Sequence, residues 1–219
     1  MGLAELLGAG RGVTSVIGSG GKTSLLAALA RELSGTVVLT TTTHILPFAG
    51  VPLVTSANAD DVRAALAGSR VVCVGSQAEK NGKLVAPELG FDALAALADH
   101  VLVEADGARR LPLKAHAPWE PVVPARSVRT VLVLGASGLG RPVREAVHRP
   151  ERFCELTGCA PDDVATPELV ARAANAEALA DVSLVNQADV AAGAARELAD
   201  LLDVPAVCAS LRDGVLLAR

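Results

Sequence analysis

Short apolar runs rich in valine, isoleucine and leucine alternate along the chain with longer stretches in which apolar residues recur every three or four positions. Runs of the first kind predict buried β-strands, and stretches of the second kind predict amphipathic helices. The strands are predicted at residues 13–17, 36–41, 71–75, 101–104, 130–134, 182–185 and 206–208. The helices are predicted at residues 25–33, 58–66 (with Asn58 as its cap), 91–98, 144–156, 167–179 and 191–202. This alternation predicts a three-layer α/β fold in which helices cover both faces of a mainly parallel sheet.

The composition is that of a globular protein with an aliphatic core. The 219 residues are 51% hydrophobic but include only one Trp, three Phe and no Tyr. A chain of this length fits a single domain, residues 1–219. The net charge of −4 and the scarcity of aromatic side chains argue against nucleic-acid binding. Because no leader pattern and no membrane-spanning apolar run is present, we expect a cytoplasmic protein that does not bind membranes.

The first predicted strand leads into a glycine loop that ends where a helix begins. The loop consists of Gly18, Ser19, Gly20, Gly21, Lys22, Thr23 and Ser24. This is the setting of a phosphate-binding P-loop, in which backbone N–H groups and a helix N-terminus face an anion. Lys22 is then expected to contact the β- and γ-phosphates of a nucleotide, and Thr23 to bind Mg²⁺. The loop is shorter than G-x-x-x-x-G-K-[ST], as in Mur-type ligases, and an ordinary turn before a helix is the alternative.

Two acidic residues stand at the end of the apolar run that starts at residue 101. Glu104 and Asp106 are two positions apart, so an extended backbone directs both side chains to the same side. One carboxylate could bind Mg²⁺ while the other positions a nucleophile, which would make both catalytic together with Lys22. A turn built by Asp106 and Gly107 is the alternative. We expect the metal role, because a buried strand that ends in a carboxylate requires a partner for that charge.

The later strands end in residues suited to a nucleotide base. The segment Asn186-Gln187-Ala188-Asp189 resembles the N-K-x-D motif that recognises guanine. Asp189 would accept the N1 and N2 hydrogens of guanine. Gln187 replaces the lysine of that motif, so GTP is favoured but ATP stays an alternative. Ser210 follows the last strand in a segment that resembles the loop beside the base, and the expected nucleotide site therefore adds Asn186, Asp189 and Ser210 to the P-loop.

Two further polar segments have more than one interpretation. One of the threonines at 40–43 could sense Mg²⁺ or the γ-phosphate, although β-branched residues also favour strands in general. Arg109, Arg110, Lys114 and Glu120 lie in and just before a proline-rich segment that we expect to be irregular, residues 111–126. Basic side chains near a nucleotide could bind an anionic second substrate such as a phosphorylated pterin. A solvated charged loop is the alternative.

Taken together, these motifs resemble the YqeC-type accessory proteins of selenium-dependent molybdenum hydroxylases. The matching segments are residues 18–23, 40–44, 104–107, 111–114, 120–124, 140–142, 148–149 and 186–189. Two positions depart from the family pattern, since Trp119 stands where the family has histidine and Gln187 where it has lysine. The resemblance implies a nucleotide-binding protein linked to maturation of these hydroxylases. A molybdenum cofactor species or the hydroxylase apoprotein would be its partner.

Three hypotheses of function follow from the motifs. The first is a Mg²⁺-dependent accessory protein with a P-loop NTPase-like fold, which hydrolyses GTP, or else ATP, to drive delivery or installation of a cofactor. The second is a kinase or Mur-like ligase that acts on a small anionic substrate. The third is a nucleotide-regulated binding protein without turnover. We take the first as the working hypothesis.

Overall fold

A computed structural model of the protein describes residues 1–78 and 82–217, and within them the predicted alternation of strands and helices is present. The helices are α1 Leu3–Leu6, α2 Lys22–Glu32, α3 Ala59–Gly68, α4 Phe91–Leu97, α5 Val143–Ala146, α6 Pro150–Thr157, α7 Pro167–Glu177 and α8 Ala192–Leu201. The strands are β1 Gly12–Gly18, β2 Val37–Thr41, β3 Leu53–Val54, β4 Val71–Val74, β5 Ser76–Gln77, β6 Leu84–Val85, β7 His100–Glu104, β8 Leu113–Lys114, β9 Ser127–Gly135, β10 Val147–His148, β11 Val182–Asn186, β12 Ala206–Ser210 and β13 Val215–Leu217. None of the described helices is long and apolar enough to cross a bilayer.

The chain packs into two compact units, each assembled from three chain segments. The first unit contains Met1–Val16, Leu26–Asp106 and Val122–Arg129, and the second contains Ile17–Leu25, Gly107–Pro121 and the chain from Thr130 onward. The strands are ordered β1-β7-β2-β4-β3 in the first unit, and β13-β12-β11-β9 in the second. Within each unit these strands pair in parallel, except that β13 is antiparallel to β12. The three-layer α/β class with a mainly parallel sheet is therefore confirmed.

In the first unit, the core is a cluster of valines from the strands together with residues of two helices. Val13, Val38 and Val101 of neighbouring strands are fully or almost fully buried there with Val62 of α3 and Leu94 of α4. β2 and β7 are buried along their whole length, as expected of parallel strands that have both faces covered. The continuous apolar runs of the sequence thus correspond to the central strands of this unit.

The strand register brings the predicted polar residues of each unit to the carboxyl ends of its strands. In the first unit, Glu104 at the end of β7 is aligned with Val16 of β1 and Thr41 of β2. In the second unit, Asn186 at the end of β11 is aligned with Gly135 at the end of β9. Ligands of open α/β sheets bind beyond this edge of the strands. The candidate site residues therefore lie where the topology predicts them.

The helix predicted at residues 144–156 is wrong, because the structure divides this segment into α5, the short strand β10 and α6. Arg149 has a left-handed backbone with φ 67° and precedes Pro150, the first residue of α6. Proline disfavours helical backbone in the residue before it, so the helix cannot run through this point. β10 pairs in parallel with β8, within the proline-rich segment that we expected to be irregular. In α3, by contrast, Asn58 caps the helix as predicted, accepting the N–H of Asp60 at 2.9 Å.

Asp99 connects the starts of β2 and β7 within the first unit. Its carboxylate accepts the backbone N–H of Thr36 at 2.8 Å and the Thr36 hydroxyl at 2.9 Å, and Arg11 pairs with the other carboxylate oxygen. The Thr36 hydroxyl in turn accepts the backbone N–H of Asp99 at 2.9 Å. The bond from the Thr36 backbone, followed by the hydroxyl bond and the Arg11 charge, holds the pKa of Asp99 below its ordinary value.

We predict that Asp99→Asn lowers the urea midpoint of unfolding at pH 7 and that the difference from the parent protein narrows in acid. A carboxyl with a lowered pKa stabilises the fold above its unfolded pKa of about 4, and this contribution is lost as the pH falls through the folded pKa. Urea titrations at pH 7, 5 and 3 measure the difference. Asp200→Asn, an exposed carboxylate of α8, is the control. A difference between Asp99→Asn and the parent that is the same at all three pH values would contradict the assignment.

Candidate functional site

The glycine loop between β1 and α2 belongs to the second unit, and hydrogen bonds to the backbone of other segments of that unit fix its position. The N–H of Ser19 donates to the carbonyl of Val133 at 2.8 Å, and the Ser19 hydroxyl donates to the carbonyl of Leu111. Lys22 is buried, and its ammonium group donates to the carbonyl of Gly18 at 2.8 Å. The lysine side chain therefore folds back along its own loop at the start of α2.

Two glycines of the loop cannot be replaced by residues with side chains. Gly20 and Gly21 have φ values of 87° and 132°, which L-residues with a Cβ rarely adopt. A Cβ on Gly20 would lie 2.4 Å from the Cα of Gly135 and 2.7 Å from the carbonyl oxygen of Pro112. A Cβ on Gly21 would lie 2.2 Å from the amide nitrogen of the Asn186 side chain. The loop thus requires glycine for both its backbone conformation and its close packing.

Asn186 connects the glycine loop to the loop that follows β12. Its side-chain NH₂ donates to the carbonyl of Gly20 at 2.7 Å, and its side-chain oxygen accepts the N–H of Leu211 at 3.0 Å. The residue is only 4% exposed, so both bonds are shielded from water. The sequence places Asn186 among the nucleotide-binding residues, and its described contacts are with protein backbone. It positions the P-loop relative to the segment that starts at Ser210.

The other residues of the segments predicted to contact the nucleotide base have three different environments. Gln187 has a left-handed backbone with φ 60°, and its side-chain oxygen accepts the Ser137 hydroxyl at 2.6 Å. Ser210 is buried and donates its hydroxyl to Asp213 at 2.7 Å. Asp189 is exposed. Of these side chains, the Asp189 carboxylate is the one turned to solvent beyond β11, and its recognition of guanine stays a prediction.

The two acidic residues predicted for Mg²⁺ belong to the first unit and are buried, with exposures of 8% for Glu104 and 0% for Asp106. The carbonyl of Glu104 accepts the Thr41 hydroxyl at 2.8 Å and the N–H of Thr42 at 3.1 Å. The Thr41 hydroxyl therefore contacts the backbone at the end of β7. Buried carboxylates suit a divalent cation. In residues 1–78 and 82–217, no group of three or more His, Cys, Asp or Glu side chains forms a metal site.

Thr23, the predicted hydroxyl ligand of Mg²⁺, is exposed in the first turn of α2 in the second unit, as is Ser24. The same unit contributes three contacts that the sequence did not predict, from Leu111, Pro112 and Ser137. Leu111 and Pro112 make their contacts through backbone carbonyls, which every residue has, so the residue type could not indicate these contacts. The structure therefore assembles the P-loop, Asn186 and the Ser210 loop in one unit.

A buried ion cluster lies in the same unit at β8 and β10. The Lys114 ammonium is 3.0 Å from one carboxylate oxygen of Glu120. Arg149 donates to the other oxygen through Nε at 2.7 Å and through Nη2 at 2.6 Å. Burial alone would raise the pKa of Glu120, but bonds and charges from Lys114 and Arg149 outweigh it, and the pKa is lowered. Burial, then the positive charges of Arg149 and Lys114, lower the pKa of His148, so this imidazole is neutral at pH 7.

A parallel sheet in which a strand leads through a glycine loop into a helix N-terminus defines an α/β protein with the strand–loop–helix arrangement that is typical of P-loops. The chain belongs to the YqeC family, because the family model described as "YqeC protein" matches residues 14–151. The Escherichia coli (strain K12) protein named "Uncharacterized protein YqeC" is 39% identical over 160 residues, which are 68% of this chain and 62% of that protein. The chain thus spans less than two thirds of that relative's length. The family resemblance seen in the motifs is confirmed.

Among solved structures, HypB from Helicobacter pylori in complex with nickel is similar over 96% of this chain and 83% of that chain. The TM-score is 0.42 and the sequence identity is 14%.

We predict that Asn186→Ala loosens the glycine loop. The bonds to two partly buried backbone groups would be lost, which costs about 0.5–1.5 kcal/mol each in free energy of unfolding. Hydrogen exchange of the amides at residues 19–22 and at Leu211 should accelerate. The matched control is Asn175→Ala, since Asn175 also bridges two backbone groups, the carbonyl of Leu201 at 3.0 Å and the N–H of Asp203 at 3.1 Å. If both variants exchange equally at residues 19–22, Asn186 does not position the loop.

Proposed function

We propose that this protein binds a Mg²⁺-nucleoside triphosphate at the glycine loop and hydrolyses it. The observation that carries the proposal is the backbone of Gly20 and Gly21, which only glycine can adopt and which lies directly before the N-terminus of α2. Such a backbone turns successive N–H groups towards one point, and the helix dipole adds a favourable field for an anion. A turn needed only to start a helix would not require two glycines so closely packed.

Each residue of the loop has a specific part in this proposal. Lys22 would exchange the Gly18 carbonyl for the β- and γ-phosphates, an exchange that replaces a neutral acceptor by a charged one. Thr23 would contribute its hydroxyl to Mg²⁺. For Glu104 and Asp106, which belong to the first unit, binding of Mg²⁺ or orientation of water stays a prediction from the sequence. The bound Mg²⁺ would neutralise phosphate charge that develops during transfer.

For the base, we propose a preference for GTP over ATP that is smaller than in proteins with a complete N-K-x-D motif. The exposed Asp189 carboxylate supports this preference, because its two oxygens match the paired N1 and N2 hydrogens of guanine. Gln187 limits it, since its amide is bonded to Ser137 and carries no charge. The guanine-recognition role therefore depends mainly on Asp189.

Membership of the YqeC family supports the biological part of the proposal. We propose that hydrolysis drives a step in the maturation of selenium-dependent molybdenum hydroxylases. The partner would be a molybdenum cofactor species or the hydroxylase apoprotein, in the cytoplasm.

Product analysis separates this role from the other hypotheses. Nucleoside diphosphate and phosphate formed without an acceptor favour the hydrolysing accessory protein, and a phosphorylated or ligated acceptor favours a kinase or ligase. Tight binding without turnover favours a nucleotide-regulated binding protein.

We predict that Lys22→Ala lowers the affinity for both GTP and ATP at least about tenfold, the equivalent of 1.4 kcal/mol, because a direct phosphate contact is lost. Calorimetric titration measures the affinity, and circular dichroism verifies that the variant is folded. Lys83→Ala, which removes an exposed lysine of the first unit, is the control. Unchanged nucleotide affinity in folded Lys22→Ala would exclude the P-loop assignment.

We predict that Asp189→Asn abolishes the preference for GTP and leaves ATP affinity nearly unchanged. Asparagine presents one acceptor and one donor, so one guanine hydrogen would meet a donor instead of an acceptor, which weakens the binding of GTP and not that of ATP. Competition titrations of GTP against ATP give the ratio of affinities, and ATP serves as the internal control. If the parent protein already binds GTP and ATP equally, Asp189 does not read the base.

A further inference from the structure

Two consecutive arginines occupy a turn that ordinarily requires glycine or asparagine. Arg109 and Arg110 have φ values of 46° and 62°, and the N–H of Leu111 donates to the carbonyl of Ala108 at 3.0 Å across them. Positive φ at both central positions is the pattern of a type I′ turn, in which long side chains are unfavourable. Within the described part of the chain, neither arginine forms an ion pair that would offset the unfavourable energy of this backbone conformation. Such strain is typical of functional positions.

Arg149 has the same backbone conformation and places its charge in the same cluster. Its φ is 67°, and it shares the carboxylate of Glu120 with Lys114. Lys114 also donates to the carbonyl of Gly107, which lies two residues before Arg109, so the arginine turn lies next to this cluster. Cationic side chains grouped in this way favour binding of an anion.

An aromatic face lies beside these charges. Trp119 is 73% exposed, and the guanidinium of Arg149 stands 5.6 Å from the centre of its ring. This cation–π contact and the Arg149–Glu120 pair restrict the orientation of the indole. A large apolar ring exposed at a charged site offers a stacking surface for another flat ring. The site therefore combines a charge-binding part with a ring-binding part.

The cluster is connected to the glycine loop by the residues between them. The carbonyl of Leu111 accepts the Ser19 hydroxyl, and the carbonyl of Pro112 accepts the N–H of Gly135 at 2.9 Å. Leu111 directly follows the two arginines, and β8 with Lys114 follows directly after Pro112. A ligand that orders the arginine turn would therefore act on the backbone that contacts Ser19.

We propose that Arg109, Arg110, Arg149 and Trp119 form a second ligand site, separate from the P-loop, for a small anionic molecule that carries a flat ring. The phosphate or carboxylate group pairs with the planar guanidinium groups, for which arginine geometry is suited. The ring stacks on Trp119. Glu120 balances part of the charge and holds Lys114 and Arg149 in position. This site does not require that the glycine loop bind a nucleotide.

The test uses flavin mononucleotide as a probe, with riboflavin as the ring without phosphate and inorganic phosphate as the charge without a ring. Trp119 is the only tryptophan and the chain has no tyrosine, so tryptophan fluorescence reports this site alone. We expect saturable quenching by flavin mononucleotide, at least tenfold weaker affinity for riboflavin, and competition by phosphate. Free N-acetyltryptophanamide corrects for light absorbed by the probes.

The decisive variant is the double change Arg109→Gly and Arg110→Gly. It should weaken flavin mononucleotide binding at least tenfold while the midpoint of thermal unfolding stays unchanged or rises, because glycine suits the turn. Arg196→Gln, an exposed arginine of α8, should bind as the parent does. Lys22→Ala should also retain binding, which keeps this result distinct from nucleotide binding at the P-loop.

Four results would overturn the second site. These are no saturable quenching by flavin mononucleotide, equal affinity for riboflavin, unchanged affinity in the double glycine variant, or loss of binding in Lys22→Ala. The last result would place the probe at the glycine loop. The nucleotide titrations of Lys22→Ala are independent of all four.

Discussion

The close approach of a glycine loop to neighbouring backbone is the constraint on which the second unit depends. Gly20 lies against Gly135 and Pro112, and Gly21 lies against the side chain of Asn186, at distances that leave no room for a Cβ. Asn186 connects Gly20 to Leu211 through the two hydrogen bonds of its side-chain amide. Because this network is buried, the position of the loop is fixed by tertiary contacts as much as by its own sequence.

One carboxylate in each unit has close local partners that favour its charge. In the first unit, Asp99 is bonded to Thr36 at the start of two strands. In the second unit, Glu120 pairs with Lys114 and Arg149. In both cases donors and cations favour the ionised carboxylate, and its pKa is lowered. Such pairs fix geometry more than they add stability, since desolvation offsets much of the Coulomb gain.

Departures from local sequence preference concentrate in the second unit. Arg109, Arg110, Arg149 and Gln187 all adopt left-handed backbone, although none of them is glycine or asparagine. Sequences normally agree with their fold at every level, and exceptions cluster where function requires a particular side chain. Gln187 is bonded to Ser137, and the guanidinium of Arg149 stands over the ring of Trp119. Three of these four strained residues are therefore the arginines of the second site that we propose.

The sequence by itself determined the α/β class, the parallel sheet, the glycine loop and the cap at Asn58, because these follow from local periodicity and from the conformations of single residues. It could not determine that β8 pairs with β10 or that Gln187 bonds Ser137. The break at Arg149, by contrast, follows from Pro150, a local signal that the helix predicted at residues 144–156 did not take into account. Only the tertiary structure decided the role of Asn186, whose partner Gly20 lies 166 positions away in the chain. Contacts between residues so far apart in the chain depend on how the strands align. A backbone carbonyl is present in every residue, so the sequence cannot show which carbonyl a side chain will contact.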